Sequence, residues 1–113
     1  MVVERTCLPY QGSDHYRPFR ASPWSAGLDL RAKVDSGLLR LEPGSLTKVQ
    51  TGVRIAIPKG CVGLIRGRSG LAFRHSVFVF EGTIDADYRG EISVLMLNMG
   101  QDLHLIADGD RIA

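Results

Sequence analysis

Residues 46–57 read LTKVQTGVRIAI, a run in which Leu46, Val49, Val53, Ile55 and Ile57 stand among polar or small neighbours. Its tail alternates as a half-buried strand should. Pro43-Gly44 opens the run and Pro58-Lys59-Gly60 closes it, both with turn chemistry. The segments CVGLIRG (61–67), VFVFE (77–81), EISVLMLN (91–98) and DLHLIA (102–107) follow the same plan, short apolar runs bounded by Gly, Asp or Asn. Short strands at this spacing predict an all-β sandwich, jelly roll or barrel. A helical period of 3.6 is nowhere sustained. The one helical expectation is a turn or two between Ser69 and Arg74.

The 113 residues leave room for one domain, residues 1–113, with no linker, low-complexity tract or internal repeat. A hydrophobic share of 44% and a charged share of 23% argue against disorder. A domain this small buries a thin core, which favours self-association. The net charge of +2 comes without a basic block or an aromatic-basic stripe, so no nucleic-acid partner is expected. No apolar run approaches the roughly 20 residues that span a bilayer, so no membrane partner is expected either. The opening MVVERTCLPY lacks the pattern of a secretory signal. Cys7 and Cys61 lie far apart, outside any CxxC pairing; one disulfide is open to them, but they read first as free thiols of a reducing compartment, cytoplasmic or nuclear. His15, His75 and His104 show no zinc-ligand spacing. Residues 12–25 read as a surface loop, with Trp24 as its packing anchor.

Four segments carry more than strand and turn. In AGLDLRA (26–32), Leu28 and Leu30 share one strand face, and Asp29 lies on the other with Gly27 and Arg31. A polar outward face accounts for that carboxylate. In GRSGLA (67–72), turn amides, a serine hydroxyl and a guanidinium together suit an anion. Small residues at a tight turn explain the same pattern without a ligand. GTIDADYRGEI (82–92) joins two strand-like runs and reads as a hairpin with DADYRG at its tip. A carboxylate held there can orient and deprotonate a water, and an aromatic ring beside it can stack on a sugar or base. An acidic solvated tip, with Arg89 paired to a neighbour, is the competing account. Last, GDRIA (109–113) is a turn that leads into a further strand.

Taken in order, AGLDLRA, GRSGLA, GTIDADYRGEI and GDRIA resemble the first four of five motifs of the homotrimeric dUTPases (dUTP diphosphatases). The resemblance covers residues 26–113 and is closest in the third motif. It implies a β jelly roll of the β-clip kind with few or no helices, in a homotrimer whose active sites are shared between chains. By similarity, Asp29 holds waters around a Mg2+ ion, and Arg68, Ser69 and Gly70 form the phosphate-binding loop. Gly82 and Ile84 read the uracil edge through their backbone. Asp85 activates the attacking water, and Tyr88 packs beneath the deoxyribose. The implied reaction is attack of water on the α-phosphorus of dUTP, giving dUMP and pyrophosphate. Magnesium keeps most of its waters, so the implied ion needs no dense protein ligand set.

Two departures accompany the resemblance. Phe80 and Glu81 stand where family members often carry small residues, and Glu81 either alters base selectivity or points outward. The glutamine that usually follows GDRIA and the glycine-rich fifth motif are not in the sequence, which is therefore read as stopping within the fourth motif. Two other functions fit the same fold: a non-enzymatic nucleotide-binding or regulatory protein, and a dCTP-deaminating relative.

Overall fold

A computed structural model of the chain describes residues 7–113. Met1 to Thr6, part of the stretch on which the absence of a secretory signal was read, lie outside the described residues. The strands are β1 (Tyr10–Gln11), β2 (Leu38–Leu41), β3 (Leu46–Gln50), β4 (Arg54–Ile55), β5 (Gly63–Ile65), β6 (Val77–Val79), β7 (Gly82–Ile84), β8 (Ser93–Asn98) and β9 (His104–Ala107). Among the described residues, one helix, α1 (Ser69–His75), and one 3-10 turn (Asp14–Tyr16) accompany them. The all-β expectation holds, and α1 falls where the single helical turn was expected.

All pairings are antiparallel: β3–β8–β6 in one sheet, and β1–β4, β2–β9 and β5–β7 as ribbons. The ribbons and the sheet close over a core that includes Leu41, Val49, Val53, Val94, Met96 and Ile106, all almost wholly buried. Each such side chain contributes about 1.5–3 kcal/mol of burial. Asn98, fully buried among them, donates from Nδ2 to the carbonyls of Leu41 (2.8 Å) and Asp102 (2.9 Å). Its Oδ1 accepts from the Gly100 amide, so no polar atom of this side chain is left unpaired.

Residues 46–57 do not form one strand. β3 ends at Gln50, and β4 begins at Arg54 and pairs elsewhere, with β1. Between them Gly52 adopts φ 73°, a left-handed conformation that suits glycine. The amide of Thr51 donates to the Ile92 carbonyl and the amide of Ile92 donates to the Val53 carbonyl, so residues 51–53 face one partner residue as a bulge. Alternation sees side chains and not the ladder, which is why it runs through the break. The alternating tail itself is correct, with Val53 and Ile55 buried. Leu46, at the other end, is exposed on the outer sheet face.

The loop at residues 12–25 is a surface segment, but Trp24 is 95% exposed and anchors nothing. Tyr16 does that work instead. Its hydroxyl donates to Asp108 Oδ1 at 2.8 Å, and His15 Nε2 lies 3.2 Å from Asp108 Oδ2. The Val34 amide donates to the same carboxylate at 2.8 Å. This single acid ties the 3-10 turn and residue 34 to the turn after β9.

Candidate functional site

The first and fourth segments lie side by side. Ala32 donates its amide to the Asp110 carbonyl (2.7 Å), Ile112 to Leu30 (2.9 Å) and Leu30 to Ala113 (2.9 Å), with Arg31 opposite Arg111. GDRIA therefore lies against AGLDLRA as a short β pairing. Leu30 is buried, whereas Leu28 lies outside the core and is exposed. The Asp29 side chain, 21% exposed, accepts from Arg111 Nη1 at 3.4 Å. The Arg31 guanidinium lies 4.4 Å from the centre of the Phe19 ring and donates to the Gly109 carbonyl at 2.9 Å.

The second segment joins this pair. Arg68 Nη1 donates to the Arg111 carbonyl at 3.3 Å. Beyond Arg68 the chain turns into α1, whose first backbone bond is Ala72 to Arg68, so the amides of the first turn have no helical partner. A Cβ on Gly70 would stand in open space, so nothing within the chain requires glycine at that position. A groove of about 260 Å³ opens here, lined by Arg68, Leu71, His104, Asp110 and Arg111. Asp29, Arg68, Ser69, Gly70 and Arg111 thus form one cluster from three distant stretches of chain.

The third segment stands apart. Its flanking runs do pair, β6 with β8, but the chain between them is no simple hairpin. β7 leaves to pair with β5, with Ile65 opposite Gly82 and Gly63 opposite Ile84. A Cβ on Gly82 would sit 3.1 Å from Ile65 Cδ1, which gives this glycine a packing reason of its own. Arg66 and Glu81 extend the register by one step, their Nε and Oε1 3.5 Å apart and both side chains mostly in solvent. Glu81 therefore points outward.

After β7 the chain turns sharply. The Tyr88 amide donates to the Asp85 carbonyl (3.0 Å), and the Tyr88 hydroxyl donates to the Glu91 carbonyl (2.9 Å). Among the described residues Arg89 pairs with no acid; its Nη1 donates to the carbonyls of Ala86 (2.8 Å) and Tyr88 (3.0 Å). Asp85 and Tyr88 are both exposed, and a Cβ on Gly90 would collide with the Tyr88 phenol. Among the described residues, no side-chain hydrogen bond or ion pair joins this turn to the Asp29–Arg68–Arg111 cluster.

Electrostatics distinguishes two further groups. Bonds from the Val34 amide and the Tyr16 hydroxyl hold Asp108 below the ordinary aspartate value, and Tyr16 is raised in return. Partial burial, and then the neighbouring His75, lower His104. The rings of His75 and His104 lie 4.7 Å apart, a proximity between residues distant in sequence that linear spacing misses. Cys7 and Cys61 are separate, exposed thiols. Among the described residues no group of three or more His, Cys, Asp or Glu could hold a metal ion, and no helix is long and apolar enough to cross a membrane.

These features meet in one family. The chain belongs to the dUTPase family, whose model matches residues 15–113. It is 49% identical over 98 residues to the deoxyuridine 5'-triphosphate nucleotidohydrolase of Anaplasma marginale, covering 85% of this chain and 66% of that protein. The Aquifex aeolicus protein of the same name is 44% identical over 115 residues, covering 100% of this chain and 75% of its own length. The chain spans 64% to 66% of the length of several such relatives. The dUTPase of phage phi11 of Staphylococcus aureus, solved as a mutant showing the coordination of a structural Mg(II) ion, superposes with a TM-score of 0.84. That match covers 96% of this chain and 87% of the phage chain at 24% identity, and it bears out the β-rich jelly roll.

Sequence reasoning missed two arginines. Arg111 lay inside a quoted segment, read only as the start of a strand, yet it touches both Asp29 and Arg68. Arg54 lay in the run that decided the fold, as a polar position between two core residues.

Proposed function

We propose that the protein is a dUTP diphosphatase that hydrolyses dUTP to dUMP and pyrophosphate. The observation that carries this reading is the turn after β7. It presents an exposed carboxylate, Asp85, and an exposed ring, Tyr88, at the end of a strand whose backbone continues from Gly82 and Ile84. Family membership gives that turn its interpretation. Asp85 takes a proton from water as it attacks the α-phosphorus, and Tyr88 packs under the deoxyribose where a 2′-hydroxyl would collide. The backbone of Gly82 and Ile84 reads the uracil edge. Arg68, Ser69 and the free amide of Gly70 hold the phosphates in line.

The residues fit a magnesium ion held through water. Asp29 offers a half-buried carboxylate beside the groove, and Mg2+ keeps most of its hydration shell and takes only one or two carboxylates. When bound, the ion would neutralise phosphate charge; the chain's own contribution is to hold the Asp29 carboxylate by its pairing with Arg111, the residue whose carbonyl also accepts from Arg68.

The protein acts as a homotrimer with shared sites. Support comes from the two clusters being bonded independently, with no side-chain hydrogen bond or ion pair between them among the described residues. It also comes from the outer face of β3–β8–β6, where Leu46, Leu95, Phe78 and Phe80 are exposed together. Residues 1–113 form one domain of this assembly. The two exposed thiols fit a reducing, intracellular setting.

The test is magnesium-dependent release of pyrophosphate from dUTP by the full natural chain. Nucleotide binding without turnover would favour the regulatory reading, and ammonia release from dCTP the deaminase. A monomer by native mass measurement at working concentration would sink the shared-site arrangement.

A further inference from the structure

The turn carrying Asp85 and Tyr88 has a support that lies in none of the four segments. Its own bonds are local, confined to residues 85–91. Among the described residues, two clefts lie against it. A cleft of about 350 Å³ runs between β4 and the turn, with Pro9, Tyr10, Ala56 and Arg89 in its walls. A second cleft of about 570 Å³ reaches beneath Ala86 and Asp87. Among the described residues, the turn therefore forms one wall of these clefts.

One side chain bridges that space. Arg54 Nη1 donates to the Arg89 carbonyl at 3.0 Å. The base from which it reaches is firm: Ile55, next in β4, is buried and pairs with Tyr10 in β1. On the other side, the Val53 carbonyl accepts the Ile92 amide at 2.8 Å. The guanidinium thus connects a strand locked into the core to the backbone one residue past Tyr88. A planar, permanently charged donor suits a carbonyl acceptor at that range.

We infer that Arg54 is a positioning residue: it acts as a strut that fixes the Asp85–Tyr88 turn across the cleft between β4 and the turn. The kinetic half of this inference rests on the reaction proposed above, and the structural half does not. Truncation of an exposed arginine removes no core contact, so the turn loosens while the fold stays intact.

The experiment compares Arg54→Ala and Arg54→Lys with the parent in the full natural chain, by amide hydrogen exchange and by steady-state turnover of dUTP. In Arg54→Ala, exchange at residues 86–90 rises about tenfold while Tm stays within about 2 °C. The kcat falls by about three- to tenfold, the range for one charge-assisted bond discounted for exposure. Arg54→Lys, whose ammonium can also donate to the carbonyl, recovers much of both. Unchanged exchange in Arg54→Ala overturns the strut whatever the turnover does. Raised exchange with unchanged kcat overturns the positioning role. A parent that releases no pyrophosphate from dUTP overturns the functional reading and the kinetic half with it, and exchange alone then decides the strut.

Discussion

The two halves of the candidate site are built by opposite means. The Asp29–Arg68–Arg111 cluster draws on three stretches distant in sequence, locked by backbone pairing between residues 30–32 and 110–113. The Asp85–Tyr88 turn is bonded almost wholly to itself, with one strut behind it. A group that must neutralise phosphate charge gains from a rigid long-range scaffold, because its donors must stand ready before the charge arrives. A group that packs against base and sugar can be a compact turn at a strand end, adjusted without disturbing the core. Damage to the pairing that holds the first region together should therefore register as lost stability besides lost phosphate binding, and damage to the second as lost chemistry alone.

The largest effect tests that division most directly. Asp85→Asn keeps the shape of the turn and removes the proposed base, so kcat should fall by about 10²- to 10⁴-fold with Tm and nucleotide affinity nearly unchanged. Full retention of turnover would remove Asp85 from its role. Gly90→Ala comes next. The added methyl displaces the Tyr88 phenol, and kcat/KM for dUTP should drop about tenfold, with weaker preference over UTP. Calorimetry should show almost no change in Tm, since only local bonds are disturbed. A large fall in Tm would mean that the turn is part of the scaffold after all.

The converse experiment strikes the scaffold. Asp108→Ala strips partners from the Val34 amide, the Tyr16 hydroxyl and His15, and should lower Tm by roughly 5 °C or more. The acid side carries a signature. Asp108 is held below its ordinary value, so the stability it contributes is present above the unfolded-state value. That stability is lost as pH falls through the depressed one. The parent should lose Tm over that acid range more steeply than Asp108→Asn does. His104, also lowered, acts at milder pH: below the ordinary histidine value the unfolded chain takes up a proton that the folded chain resists, so stability declines there too. Equal acid profiles for the parent and Asp108→Asn would mean that this carboxylate pins nothing.

Local chemistry was the legible part of this molecule. Strands β5, β6, β8 and β9 fell within runs identified from alternation and turn residues, and α1 fell where Ser69 to Arg74 were expected to coil. The break at Gly52 was hidden because a bulge keeps the side-chain rhythm while changing the partner strand. The departure of β7 to β5 was hidden because nothing in GTI says which of two neighbours it will pair with. Trp24 misled because a large aromatic was assumed to need a core. The motif residues were legible as types, whereas the grouping of Arg111 with Asp29 and Arg68 arises from pairing between segments about eighty residues apart. Arg54 was invisible for the same reason, being a surface position until the Arg89 carbonyl is placed opposite it.

The smallest expected effect sharpens the comparison at its boundary. Glu81 directly precedes the strand proposed to read the base, and a carboxylate set beside a uracil edge would favour an amino group over a carbonyl. Its position argues otherwise. Glu81 continues the β5–β7 register opposite Arg66, its Oε1 3.5 Å from the arginine Nε, with both side chains mostly in solvent. An exposed pair of this kind contributes about 0–1 kcal/mol, and its partner is on the strand rather than in the pocket. Glu81→Gln should therefore change the ratio of kcat/KM for dUTP over dCTP by less than about twofold, and Tm by about as little. A tenfold shift in that ratio would place the carboxylate against the base. Selectivity would then belong to a side chain of this region and not to the backbone of Gly82 and Ile84 alone.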